Sequence, residues 1–567
     1  MSEARQRLEF GPFRLDAVRR LLWRGGTLLE VPPKAVELLA ALLADAGEVV
    51  PKEELLRRAW PDTFVEEANL SVNVSILRRV LGTREDGKPW IQTVPRRGYR
   101  FLGVVAATAP APRSLAVLPF RPLVGTATDE ALGLGMADAL ISRLVATRRV
   151  VVRPTTAIRA FGGPDVDAAA AGRQLKVDTV LDGRYQEAGS RLRVTVQLLP
   201  VDGPSPIWAE RFDVERTDLL AVEDTIAERL AGALVAELSA EERRRLERRP
   251  TASVAAWQAY SRGRFFWGRF SRPWVEKAVE CFHEAASIDP GYAQPHAGLA
   301  DCSLVAGLAG AVPPRMAWSL AEAATAAARE RDPDLPEVQV SSGFLRLFGD
   351  WDRPAAEAHF RRAIELAPLA AAGHQWLGLL YALRGHIAEA ERSLTRAAEL
   401  DPLSLTVSAL LGMTRAFAGD HEGELRQQER TLELDPHHFL GHWAVGGALH
   451  NLGRFDEAVA RLRRAVELGE SAAFLEPVLA RSLARAGRAE EARASLARSG
   501  SGDEPALGYM KATVHVALGE KERALELLRR AAEERDPWIV AAAVDPALGP
   551  LRGDPDYERL VTRLGLG

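Results

Sequence analysis

The chain has 567 residues, 47% hydrophobic and 26% charged, which is the makeup of folded globular protein, and at roughly 100–200 residues per domain it calls for three to five cores. Its two cysteines, Cys281 and Cys302, are too few for a disulfide framework or a four-ligand zinc site. The net charge of −4 excludes a uniformly basic protein, and no run of about 18 uncharged apolar residues exists to form a membrane-spanning helix.

Residues 7–32 alternate short apolar runs (LEF, FRL, LLW, LLEV) with Gly-Pro and Gly-Gly turns, the pattern of a small antiparallel sheet. Pro32-Pro33 open a helix whose Val36, Leu38, Leu39, Leu42 and Leu43 share one side, and Gly47 stops it. Lys52 to Trp60 reads as a second helix, ended by Pro61, and Glu66 to Leu81 as a third. A second hairpin follows, WIQTV and YRFL around the turn PRRG.

Ala106 to Arg113 is a Pro/Ala linker. Residues 114–247 read as mixed α/β: a buried strand SLAVLPF, a helix over DEALGLGMADALISRLVA, two strands joined at Gly189-Ser190, a strand IWAERFD and an amphipathic helix from Thr217. From about Thr251 only short helices are expected. Prolines end helices at Pro290, Pro333, Pro368, Pro402, Pro436 and Pro537, at gaps of 43, 35, 34, 34 and 101 residues. Upstream of these stops a small–large–small triplet recurs, as in Ala278/Phe282/Ala285, Ala356/Phe360/Ala363, Ala390/Leu394/Ala397 and Ala458/Leu462/Ala465, and small first-helix residues recur at Gly378, Gly412 and Gly446. Paired helices need small residues where they cross closely, with the large residue filling the gap between pairs. This 34-residue period resembles the tetratricopeptide repeat, about eight units over some 285 residues. The unit from Leu403 to Pro436 is degenerate, with Glu424, Gln428 and Thr431 at the usual small and large positions, and the 43-residue gap implies a nine-residue insertion near Ala306 to Pro314.

The segments VPPKAVELLAALL, GEVVPKEELLRRAW, ANLSVNVSILRRVLG and WIQTVPRRGYRF resemble the OmpR/PhoB-type winged helix, especially the variant fused to repeats in CadC-like bacterial regulators. SLAVLPF, GLGMADALISRLV and VDTVLDGRYQ resemble the TolB N-terminal-like domain, which leaves a spacer, a dimerisation unit and a ligand sensor all open. The expected architecture is therefore multidomain α+β: a winged helix-turn-helix at 7–105, a small α/β domain at 113–247 and an all-α tetratricopeptide-repeat solenoid at 252–567.

Charge distribution supports a nucleic-acid site. Residues 1–106 hold 17 Lys/Arg against 14 Asp/Glu, leaving −7 for the remainder, and Asn69 to Phe101 alone has a net charge of +5. On the third helix Leu70, Val74, Leu77 and Leu81 form one face and Asn69, Val72, Asn73, Ile76 and Arg79 another. The second face suits the major groove, where Asn pairs with adenine edges and Val or Ile touches thymine methyls. Arg78, Arg79, Arg96, Arg97 and Arg100 are placed for phosphates or the minor groove beside the wing. The family pattern also carries arginines near Ile76 and Pro95. This sequence has neither, so Arg96 or Arg97 takes the wing's role. Five or six phosphate contacts imply a log–log salt slope of about −5.

Other features read as structural. His437, His438, His442 and His450 cluster, but His442 occupies a repeat-packing position like His374. Glu241 to Arg249 reads as a solvated helix terminus, and Phe265, Phe266, Trp267 and Phe270 as core of the first repeat. No phosphate-binding loop, catalytic constellation, metal site or cofactor is expected. The winged-helix class belongs to bacterial signal-transduction (phosphorelay) regulators, and the expectation is a cytoplasmic, non-enzymatic, DNA-binding transcription regulator. Its partners are double-stranded DNA and a protein or peptide on the repeats, with no membrane, and a homodimer is compatible. The alternative is a repeat-based interaction scaffold with a non-specific or vestigial DNA-binding domain.

Overall fold

A computed structural model describes the whole chain except residues 1–6, 17–20, 25–26, 30, 61–64, 66, 85–86, 104–105, 108–113, 124–129, 204, 236–237, 269–271, 470–472, 501–506 and 567. Two compact units result, Met1–Pro112 and Arg113–Gly567.

In the first unit, strands β1 (Arg7–Phe10), β2 (Phe13–Asp16), β3 (Leu21–Arg24) and β4 (Thr27–Leu29) form an antiparallel meander. The expected Gly25-Gly26 turn lies outside the described residues. Helix α1 (Pro33–Ala44) starts with proline at its first position, where the missing N–H has no intrahelical partner to lose. Helices α2 (Lys52–Ala59) and α3 (Glu67–Leu81) follow, then β6 (Ile91–Val94) and β7 (Gly98–Phe101). Two strands were not anticipated from sequence. β5 (Val49–Pro51) pairs with β7, and β8 (Ala106–Ala107) pairs with β1, inside what reads as linker. Gly98 is required by the first of these, because a Cβ there would sit 2.0 Å from the Val50 carbonyl oxygen. Leu38, Leu39 and Leu42 of α1 meet Leu70, Val74 and Leu77 of α3, all at most 1% exposed. Phe10, Phe13, Trp90 and Phe101 pack ring on ring at the base of the wing.

The second unit opens with a six-stranded mixed sheet. Strands β9 (Ser114–Val117), β10 (Arg121–Pro122) and β11 (Val151–Val152) make its parallel pairs, and β12 (Thr179–Ala188), β13 (Arg191–Pro200) and β14 (Trp208–Glu215) its antiparallel run. Helices α4 (Glu130–Ala146), α5 (Thr155–Ile158), α6 (Ala168–Gln174), α7 (Leu219–Leu234) and α8 (Ala240–Glu247) accompany it. The Gly189-Ser190 turn joins β12 to β13 as the sequence indicates.

Sixteen helices then pair in succession: α9 (Val254–Trp267) with α10 (Arg272–Ile288), α11 (Ala293–Leu308) with α12 (Pro314–Arg331), α13 (Pro336–Phe344) with α14 (Arg353–Leu366), α15 (Ala371–Leu383) with α16 (Ile387–Leu400), α17 (Leu405–Phe417) with α18 (His421–Leu434), α19 (Phe439–Asn451) with α20 (Phe455–Leu468), α21 (Leu475–Arg485) with α22 (Ala489–Arg498), and α23 (Gly508–Ala517) with α24 (Lys521–Glu533). Two short 3₁₀ segments and α25 (Pro555–Arg563) complete the chain. The small–large rule holds in the packing. A Cβ on Gly378 or Gly446 would lie 2.6 Å from Leu394 or Leu462 of the partner helix. The predicted nine-residue insertion is not a separate loop. The extra length is spread over α11 (16 residues) and α12 (18), against 13 and 14 in α15 and α16.

The solenoid does not run open. Trp538 donates to the Leu308 carbonyl at 3.1 Å and Trp318 to the Arg535 carbonyl at 2.9 Å, bringing the end of the last pair back to the second. The sheet domain joins the same body through Arg153, 4% exposed. Its guanidinium donates to Leu175 O and Lys176 O on its own side and to Glu399 O and Leu400 O at the end of α16, at 2.6–3.0 Å.

Adjacent glycines give a test of this packing. Gly446 faces Leu462, whereas a Cβ on Gly447 would meet nothing within 4 Å. Gly446→Ala should lower the stability of the repeat transition by about 1–3 kcal/mol through overpacking. Gly447→Ala should raise it by about 0.5–1 kcal/mol through helix propensity. Urea unfolding of the two variants checks the opposite signs, and a shared sign would show that the helix-crossing contact is misassigned.

Candidate nucleic-acid interface

Helix α3 is amphipathic by sequence, and its burial follows that division. Leu70, Val74, Leu77 and Leu81 are at most 1% exposed, while Val72 is 57% exposed. Asn69 and Arg79 are exposed, and Asn73 and Ile76 half-buried. The start of α3 is fixed to the start of α2 by Lys52 and Glu67, whose charged ends lie 2.7 Å apart. The Asn73 amide donates to the Asn69 carbonyl one turn earlier at 2.8 Å, which leaves its oxygen turned from that bond. Ile76 also packs against the core edge, so it serves the fold as well as the exposed face.

The five arginines expected to meet phosphate divide into three kinds. Arg78 donates from Nε and Nη2 to the Ile91 carbonyl at 3.1 and 2.9 Å and to Thr93 Oγ1 at 2.7 Å. It straps α3 to strand β6. Its guanidinium is thus engaged within the first unit, unlike those of the other arginines of this set. Arg79, Arg96 and Arg97 are exposed, with no side-chain hydrogen bond or ion pair among the described residues. Arg100 is half-buried on β7, its Nε buried without a partner.

The wing tip is a tight turn closed by Arg97 N donating to Val94 O at 3.1 Å. Proline occupies its second position and Arg96, at φ +62°, its third. A turn of this shape favours glycine at the third position, and a side chain there carries backbone strain.

The histidines of the repeats have packing roles. His442 and His374 each lie against the carbonyl of the proline six residues earlier, at 3.0 and 3.3 Å, and His438 Nδ1 accepts from Leu440 N at 3.2 Å. His450 contacts Ser482 Oγ at 2.9 Å, and burial with two nearby arginines pushes its ring down to about 2. Phe265, Phe266 and Trp267 pack against buried clusters, whereas Phe270 lies outside the described residues. The charged run near 241–249 forms helix α8, capped by Ser239 and Glu242, and Arg249 pairs with Asp224.

Residues 26–101 match the family described as the C-terminal domain of transcriptional regulatory proteins. The first unit is an OmpR/PhoB-type winged helix. Residues 111–229 match the second domain of HilA/YgeH-like transcriptional regulators. The chain is 24% identical over 388 residues to the transcriptional regulator HilA of Salmonella typhimurium, covering 66% of this chain and 67% of that one. It is 31% identical over 80 residues to the transcriptional activator CadC of Escherichia coli, 14% and 16% of the two chains. It is also 30% identical over 195 residues to a putative adenylate cyclase 3 of Rhizobium meliloti, where it spans only 33% of that protein and 34% of itself. The winged helix is thus followed by a small sheet domain and a long all-helical, repeat-like region. Among the described residues no helix is long and apolar enough to cross a membrane.

The winged helix makes a stability test possible without DNA. Arg96→Gly should stabilise the first unit by about 1 kcal/mol, because glycine carries no left-handed penalty. Arg78→Ala should destabilise it by about 1–2 kcal/mol through lost charge-assisted bonds. Denaturant unfolding of the full chain, followed through the first-unit transition, reads both. A neutral Arg78→Ala would remove the strap between helix and wing from the account.

Proposed function

We propose that this chain regulates transcription by laying α3 in the major groove and its wing against the adjacent backbone or minor groove. The observation that carries the reading is the outward face of α3, with Asn69, Val72 and Arg79 exposed and Asn73 half-buried, together with the exposed, unpaired Arg96 and Arg97 at the wing. Asn73 and Asn69 offer amide groups for adenine edges, Val72 and the exposed part of Ile76 meet thymine methyls, and the arginines take phosphates. Arg100 contributes from the rim. Arg78 is withdrawn from this set.

The functional division follows the sequence: winged helix over 7–105, sheet domain over 113–247, repeats over 252–567. The repeats and sheet domain supply the regulatory half, through a protein partner or a sensed signal. A regulator that reads chromosomal DNA works in the bacterial cytoplasm. Binding, not catalysis, is its activity. Both matched family descriptions are of transcription regulators, and the match to the putative cyclase is confined to about a third of each chain.

With Arg78 removed, four or five phosphate contacts remain, and the expected log–log salt slope is about −4. A triple variant, Asn73→Ala, Arg96→Ala and Arg97→Ala, should bind duplex DNA at least ~100-fold more weakly, with a slope shallower by about 2, one per arginine lost. Titration of labelled duplex at several salt concentrations measures both. Equal binding by wild type and variant would leave the scaffold reading, with a winged helix that does not read DNA.

A further inference from the structure

Within Arg113–Gly567 the sheet domain, the inner face of the repeats and the returning C-terminal segment line a cavity of about 1740 Å³ that is open to solvent on one side. That exceeds the roughly 300–1,000 Å³ of ordinary small-molecule sites, so a ligand and its hydration both fit. Its lining includes aromatic rings and a cation without an ion pair. Trp443 meets Phe474 edge-to-face at 5.8 Å, and Phe474 lies 6.1 Å from Trp538. Arg481, from α21, lines the same space. Its Nε is buried without a partner, and its side chain makes no hydrogen bond or ion pair among the described residues.

Of the arginines around it, Arg463, Arg488, Arg493 and Arg498 each meet a carboxylate at 2.7–2.8 Å, and Arg485, one turn further along α21, lies over the Phe455 ring at 5.2 Å. Glu424, an acidic group in the same lining, is engaged by Asn451 at 3.0 Å and by His421 at 3.4 Å. Burial pushes its carboxyl up, opposed by Asn451, His421 and the more distant Arg481. The ring of His450 is pushed down chiefly by burial, with Arg481 and Arg485 adding to the effect. The degenerate repeat, with Glu424 and Gln428 where small and large apolar residues belong, is what makes this stretch of wall polar.

A guanidinium left partly desolvated and unpaired beside aromatic rings is costly unless an anion joins it. We propose that the cavity is a binding site for an aromatic carboxylic acid, its carboxylate paired two-pronged with Arg481 and its ring seated among Trp443, Phe474 and Trp538. The site lies wholly within the second unit and does not depend on DNA reading.

The test uses the full chain and the fluorescent aromatic anion 1-anilinonaphthalene-8-sulfonate as reporter, displaced by 1-naphthylacetate, by its neutral amide or by inorganic phosphate. The acid should displace the reporter at least ~10-fold more effectively than the amide, and phosphate should not compete. Arg481→Gln should bring the acid down to the level of the amide and leave the amide unchanged. Arg493→Gln, which removes the same charge outside the cavity, should keep the preference. Equal displacement by acid and amide in the wild type, competition by phosphate alone, or a retained preference in Arg481→Gln would each overturn the proposal. If Arg481→Gln does not melt cooperatively, the wild-type comparison of acid with amide decides by itself.

Discussion

One 15-residue helix has to meet two demands at once. The apolar stripe of α3 must reach α1, since Leu70, Val74 and Leu77 are the counterparts of Leu38, Leu39 and Leu42 in the first unit's core. Burying that stripe fixes the rotation of the helix, and the rotation decides which residues face out. Asn69, Val72 and Arg79 are exposed because the leucines are not. Position along the axis is tied down separately by the Arg78 strap to β6, and the exposed Lys52–Glu67 pair adds a weak contact at the other end. The wing therefore moves with the helix it accompanies, and Arg96 and Arg97 stand at a defined place relative to the outward face. Pre-set geometry of this kind lowers the ordering cost of association.

The second unit obeys a different constraint. Helix pairs that contact only their neighbours ordinarily make an open spiral. Here long-range bonds close it: the tryptophan contacts at Leu308 and Arg535, and four carbonyls gathered by Arg153 from the sheet domain and the end of α16. Closure converts a concave surface into a cavity. Residues that an open solenoid would offer to a large partner are then better placed for something small, which is why the unpaired Arg481 carries weight.

Much of this was legible in the sequence because it is periodic. The 3.6-residue pattern of α1 and α3, the 34-residue spacing of prolines and the glycine-against-leucine rule are all local consequences of helix geometry, and Gly378 and Gly446 meet Leu394 and Leu462 as that rule requires. What sequence concealed was non-local or too short to show a period. Strand β5 is only Val49–Pro51, and its existence depends on β7, far along the chain. Arg78 and Arg79 are adjacent and look alike in a charge count, yet a 100° turn of helix sends one to the wing and the other to solvent. Closure of the solenoid rests on backbone carbonyls, which leave no mark in side-chain patterning. Degeneracy at Glu424 and Gln428 was visible, but not that those residues face a cavity.

The claim that α3 and the wing read DNA is tested most directly by selecting bound duplexes from a random pool with the full chain, in parallel with Asn73→Ala and Val72→Ala. The account predicts one enriched site of a few base pairs rich in A·T, with preference at a single adenine lost in Asn73→Ala and at a single thymine in Val72→Ala. A pool that stays random with wild type, or an enriched site unchanged by both substitutions, would contradict it.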